Sequence, residues 1–495
     1  MTHAFFGREF TFTQPDGQKL RVRGWGDQNR AHFETLDGFT VVRNAESGFY
    51  EIAKKSPEGP LLVASGLRPG ATFEVPGIER GLRGGPGRDR FVSSHSPLVG
   101  TTRWQQRNAE RKAALRKSMA AEGPVAAPPK RHTIGNFVGL CLPIAFPDVA
   151  PSVTQAQISD FCNQSGYSGF GNNGSVRDYF LDNSLGKCDY RTVVAPVYTA
   201  KKKRGYYTDP KQQFGKRAQE LIHEALTYHK ANGFDFSSLT ADSKGYVYAL
   251  NVFYAGEVEN AWSEGLWPHS HYLYDQVKLA SGKTAHDYQI TALGGRLELG
   301  TYCHENGHML CDFPDLYDYD DDSAGTGYFC LMSGGNGADE SNPTQIGAYL
   351  KYSAGWAGSI TELRAGLKAT AAATGNDFYI QRKNSAEYFI VENRLRSGRD
   401  HALPDSGLAI WHVDEGGSNN DQQGTPDRHY ECALIQADGK KHLELNLNTG
   451  DANDLFDQGT SFAGTWWNGK STGLVIRDIG APGSEVSFEV VAGPT

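Results

Sequence analysis

The sequence predicts an α+β protein with a mixed central domain between two β-rich regions. Three observations predict it. Short alternating apolar and polar runs, bounded by Gly, Asp and Asn, fill residues 1–95 and recur from 357 to 495. Between them, Thr301 to Asp318 reads TYCHENGHMLCDFPDLYD, a helical stretch that Pro314 must break. The 58 glycines and 23 tyrosines favour loops and strands over long helices. The expected division is 1–95, a helix and linker at 96–132, a central domain at 133–356 and a β-sandwich at 357–495.

The first region divides at its turns. Arg8 to Thr13 and Lys19 to Trp25 are strands about Pro15-Asp16-Gly17. His32 to Val42 bends at Leu36-Asp37-Gly38, and Gly48 to Ala53 follows. Thr101 to Met119 is strongly basic and helix-favouring. Ala120 to His132 is a Pro/Ala/Gly linker, either a solvated connector or a hinge where proteolysis separates two parts of the chain.

In the central domain, IGNFVGLCLPIAF after Thr133 reads as an interior strand, and Ser175 as the N-cap of VRDYFLDNS. Tyr246 to Tyr254 is expected to be a strand near the cleft, where an edge strand pairs with extended peptide. Asn342-Pro343 should start a helix through PTQIGAYLKYSAGW. Beyond Gly358, strands are expected at 377–382, 387–393, 407–413, 432–436, 473–479 and 485–491. Glu392, Arg394 and His412, polar within these apolar strands, read as paired structural groups.

The chemistry concentrates at residues 304–315. His304 and His308 stand four apart, so a helix projects both imidazoles from one face. That spacing suits one zinc ion at about 2.0–2.1 Å from each nitrogen. Glu305 directly follows the first ligand and can take a proton from a water activated there. Two solvated histidines on a surface helix would carry the same letters. The break at Pro314 lets the chain return, and Asp315 is the first well-placed carboxylate after it. Asp312 is too close to the helix end, Asp318 is three residues further, and His269 and His271 form a rival pair. Cys330 to Gly335 could turn with Met332 as a floor beneath the metal.

The runs HENGHMLCDFPDLYD and YFCLMSGG resemble the immune inhibitor A family of secreted zinc metalloendopeptidases. FETLDGFTVVRN and GFYEIA resemble its pro-region. GSVRDYFLDNSLGK, NVFYAGEVENAW and GLWPHSHYL resemble its catalytic domain, and EYFIVENR and LPDSGLAIWHVDE match further on. The resemblance implies a zincin or metzincin-like catalytic domain, protein or peptide substrates, synthesis as a zymogen and an extracellular location. The usual metzincin spacing puts Gly seven and the third ligand ten residues after the first His. Here those positions hold Cys311 and Pro314, and Asp315 comes one later.

A net charge of −8 argues against general nucleic-acid binding. No run approaches the ~20 apolar residues of a membrane span, and MTHAFFGREF lacks the basic and apolar segments of a signal peptide. The seven cysteines begin at Cys141; Cys162 and Cys188 could be bridged. Acidic loops, YDYDDD at 317–322 and Asp451, Asp454 and Asp457 in TGDANDLFDQG, raise structural Ca2+ as a second cofactor. The rival functions are a secreted adhesive or binding protein with a structural zinc site and a metallohydrolase acting on something other than peptides. A structural site is closed by four protein ligands and has no need of Glu305.

Overall fold

The computed structural model describes residues 5–28, 31–57, 61–70, 78–83, 98–120, 127–131, 133–319, 322–420, 424–425 and 427–493. The chain begins with strands β1 (Phe5–Thr13), β2 (Lys19–Gly26), β3 (Ala31–Thr35), β4 (Val41–Arg43), β5 (Tyr50–Lys55) and β6 (Leu62–Ala64). They form two antiparallel three-stranded sheets, ordered β1-β2-β3 and β4-β5-β6. Phe12, Val22, Phe33, Tyr50 and Ile52 face one core, which Trp262 and Trp267 complete from the central part of the chain. The basic stretch forms helix α1 (Arg103–Ala120). The linker expected at Ala120 to His132 falls partly outside the described residues.

The central sheet comprises β7 (Gly135–Ala145), β8 (Cys188–Val194), β9 (Tyr198–Thr199), β10 (Leu250–Ala255), β11 (His269–Ala280) and β12 (Lys283–Leu293). Its order is β11-β12-β10-β7-β8, with β9 beside β7. Every pair is parallel except β11 with β12. Parallel interior strands bury both faces, so β7 and β10 read as continuous apolar runs. This corrects the expectation for Tyr246 to Tyr254. Its strand, β10, lies inside the sheet between two parallel neighbours, and the antiparallel edge is β11.

Helices α2 (Gln155–Asn163), α3 (Val176–Ser184), α4 (Arg204–Tyr207), α5 (Lys216–Ala231), α6 (Leu299–Cys311) and α7 (Ala348–Ser353) complete this part. Ser175 caps α3 in a capping box with Asp178. One core contains residues of α2, α3 and α6, and a second lies beneath α5. The helix expected from Pro343 is shorter and starts after Gly347. Distant side chains hold the preceding segment extended. The Gln345 N–H donates to Asp400 and the Ile346 N–H to Asn183, while the Asn342 amide donates to the Gly398 carbonyl.

Strands β13 (Ser359–Glu362), β14 (Lys368–Ala372), β15 (Asp377–Arg382), β16 (Glu387–Arg394), β17 (Gly407–Asp414), β18 (Cys432–Ile435), β19 (Phe462–Thr465), β20 (Ser471–Arg477) and β21 (Glu485–Ala492) follow. They form sheets of order β13-β15-β16-β17-β18 and β14-β21-β20-β19. Phe389, Val391 and Ile410 of the first sheet share a core with Ile476, Val486 and Phe488 of the second. All seven cysteines are free and buried, so Cys162 and Cys188 are not bridged.

Candidate metal centre

Helix α6 is buried on all sides from Tyr302 to Cys311. Gly307 lets Met332 pack close to the helix, since a Cβ there would stand 2.8 Å from the Met332 sulfur. The helix ends at Asp312, whose φ of 56° is left-handed and whose N–H donates back to the His308 carbonyl. Its carboxylate turns away and pairs with Arg107 of α1 at 2.7 Å. The chain then folds back under the helix, fixed where the Leu316 N–H donates to the Met332 carbonyl at 2.7 Å.

This return brings Asp315 to the two histidines. Its Oδ1 lies 3.0 Å from His304 Nε2 and 3.1 Å from His308 Nε2, and the two nitrogens are 3.2 Å apart. A tetrahedral zinc ion with bonds of about 2.0–2.1 Å sets its ligands about 3.3–3.4 Å apart, so the three donors span close to one face of such a tetrahedron. Each imidazole donates its other nitrogen proton to a carbonyl. His304 Nδ1 bonds Leu331 O at 3.0 Å and His308 Nδ1 bonds Phe313 O at 2.6 Å. These bonds select the tautomer whose Nε2 lone pair faces the centre. The Tyr319 hydroxyl donates to Asp315 Oδ2 at 2.6 Å, which aims Oδ1 inward. Burial resists charge on Asp315, but the adjoining imidazoles outweigh it and hold the carboxyl well below its ordinary range.

Glu305 is fully buried beside the histidines. Its Oε2 accepts a hydrogen bond of 2.5 Å from Ser270 of β11, and Oε1 has no partner among the described residues. Burial pushes this carboxyl up, against the opposing pull of His304, His308 and Ser270. A carboxylate so tuned holds and releases a proton nearer neutrality. The donor set, the two fixed tautomers and the orphaned Oε1 all fit a metal with a water beside it.

The rival residues stand elsewhere. His269 is occupied by the Trp267 carbonyl and the Tyr288 hydroxyl, and His271 meets Tyr274. Glu392, Arg394 and Asp400 form a buried polar cluster, and His412 pairs with Glu387 at 3.2 Å. The acidic run at 317–322 is partly outside the described residues. In TGDANDLFDQG the main chain of Asp457 closes a turn with the Thr460 hydroxyl, while the Asp451 carboxylate approaches Asp438 and His442.

Three residues of the centre were not foreseen. Ser270 bonds the Glu305 carboxylate and Tyr319 that of Asp315, and Trp104 of α1 stacks on His308 at 4.5 Å and 21°. Trp104 lies some 200 positions before His308 in sequence, so no local spacing could reveal the contact. Tyr319→Phe removes the bond that orients Asp315. Zinc affinity should fall about 10–100-fold, the range for outer-shell partners, as measured by competition with a chelating dye. Unchanged affinity would deny Tyr319 this role.

Among the described residues no helix is long and apolar enough to cross a membrane. No curated protein matches the chain. Residues 154–361 match the family described as immune inhibitor A peptidase M6, catalytic domain. That match spans β8 to β12, the helix carrying His304, Glu305 and His308, and the return through Asp315. Residues 154–361 of the chain are therefore a catalytic domain of the immune inhibitor A peptidase family.

Proposed function

We propose that the protein is a zinc-dependent endopeptidase held latent by its own amino-terminal region. Three donor atoms within 3.0–3.2 Å of one another, beside an unpartnered Glu305 oxygen, carry the catalytic reading. His304, His308 and Asp315 would hold the metal. A zinc ion bound there supplies Lewis acidity and brings the pKa of a water towards neutrality. Glu305 Oε1 takes the proton of the attacking water and returns it to the leaving amine, while Ser270 fixes the other oxygen. The antiparallel edge β11 offers its main chain to an extended substrate. We read the central part as a zincin of metzincin type, with Met332 as its floor, and the two carboxy-terminal sheets as a β-sandwich. The family resemblance also supports an extracellular location.

Latency rests on burial. His304, Glu305 and His308 are 0% exposed and Asp315 is 1% exposed, so no polypeptide reaches them in this conformation. Trp104 covers His308 on one side. Near the other histidine, Phe6 of β1 meets Tyr317 edge-on at 5.3 Å, and Tyr317 leans towards His304. Both carboxylate oxygens of Asp287 accept the N–H groups that open α1, at Arg103 and Trp104. Arg103 pairs with Asp242, Arg107 with Asp312, Arg111 with Glu415 and Lys112 with Glu431. With no cysteine before Cys141, a thiolate cannot cap the metal from this region.

Limited proteolysis between Ala120 and His132 should therefore raise casein digestion severalfold once the amino-terminal fragment dissociates. Equal activity of intact and clipped protein would refute latency. Absence of digestion by either form would refute the peptidase reading.

A further inference from the structure

The amino-terminal region places one cation in a pocket beside the metal centre. Strand β1 is bulged at Gly7, whose φ is 65°, and the bulge aims Phe6 at Tyr317 and Arg8 at Glu340. The backbone of Phe6 lies on Gly337, where a Cβ would stand 3.1 Å from the Phe6 carbonyl oxygen. Arg8 thereby enters a pocket lined by Gln289, Thr291, Glu298, Thr301 and Glu340, and leaves about 50 Å³ of it unfilled. Its Nε is 3.9 Å from Glu340 Oε1.

The pocket lies on the face of α6 that carries Glu305. Glu298 is the residue before α6, and Glu298, Thr301 and Glu305 stand at i, i+3 and i+7, which a helix brings to one side within ~10 Å along its axis. Gln289 of β12 pairs directly with Ser270 of β11, the residue that bonds Glu305. An extended peptide covers that distance in about three residues. What the pocket lacks is a donor. Gln289 is 1% exposed; its Nε2 donates to Asn251, and its Oε1 has no partner among the described residues. Burial, with Glu340 beside it, pushes the Glu298 carboxyl up, and the exposed Arg296 reaches it from the rim at 2.8 Å. Burial also resists charge on Glu340, but Arg8 outweighs it and holds that carboxyl down. When the amino-terminal region leaves, Glu340 loses this cation while Gln289 Oε1 still lacks a donor, a costly pair of vacancies unless another cation enters.

We propose, on the endopeptidase reading above, that this pocket is a specificity subsite for an arginine or lysine side chain of the substrate, and that Arg8 fills it in the latent form. Arginine suits it best, because five donors in a planar fork can serve the Glu340 carboxylate and Gln289 Oε1 together, where an ammonium offers a single point of charge.

The test uses the clipped, zinc-loaded Glu305→Gln protein freed of its amino-terminal fragment, which binds peptides without cutting them. Labelled alanine hexapeptides carry one arginine, lysine or citrulline, and fluorescence anisotropy gives their dissociation constants. Arginine should bind at least about tenfold tighter than citrulline, which keeps the shape and lacks the charge. Removing one carboxylate would let the other ionise, so Glu298→Gln and Glu340→Gln are combined, and the preference should fall to about twofold or less. Thr301→Lys, which adds a cation to the pocket from a half-buried position, should do the same if the double variant fails to fold. The clipped parent should cut the arginine peptides at one fixed distance from the arginine, within about three residues. No preference for arginine, a preference undiminished in a folded pocket variant, or cuts at scattered distances from the arginine overturns the subsite. Arginine-selective binding with no cutting by the clipped parent would instead overturn the endopeptidase reading and leave the pocket's recognition of a basic side chain standing.

Discussion

Glu305→Gln is expected to lower casein digestion about 10²–10⁴-fold while zinc content stays at the parental level. The change preserves size, so Ser270 can still bond the side chain and the histidines keep their carbonyl partners. What disappears is the basic oxygen at Oε1, a buried atom without a partner among the described residues. Both measurements belong on the clipped protein, where the latency proposed above would no longer conceal the effect. Parental digestion by a zinc-bound Gln variant would remove Glu305 from the mechanism.

Asp315→Ala is expected to reduce zinc affinity by more than the ~10–100-fold of an outer-shell change, and activity with it. Two imidazoles remain, each held by its carbonyl, but the third donor and the Tyr319 bond that aims it are lost. Asp312→Ala is the control, since that carboxylate serves Arg107. It should weaken the hold of α1 and retain zinc. Asp318→Ala should also retain zinc, because the converging donors are those of His304, His308 and Asp315. Loss of zinc in either control, with retention in Asp315→Ala, would require a different ligand set.

The histidine pair was legible because a helix enforces its own spacing, and Asp315 because Pro314 forces a return. The extra residue in the spacing has a local cause. Asp312 takes the left-handed position that ends α6, a conformation set by the backbone that glycine more commonly fills. The edge strand was not legible. β10 and β11 are both buried over much of their length, and only the pairing order decides which one lies at the rim. The helix after Asn342 was overestimated because the side chains that hold its first turn open, Asn183 and Asp400, come from distant elements. Trp104 was invisible for the same reason. Its place over His308 follows from how α1 docks, with its first N–H groups on Asp287. The short strands β13, β14 and β19 have too few alternating residues to announce themselves.

The most direct measurement is metal analysis of the purified, clipped protein beside casein digestion with and without a chelator. One zinc per chain is expected, with digestion lost on chelation and restored by added Zn2+. Digestion that survives complete removal of the metal, or a stoichiometric zinc with no digestion at all, would contradict a catalytic zinc centre.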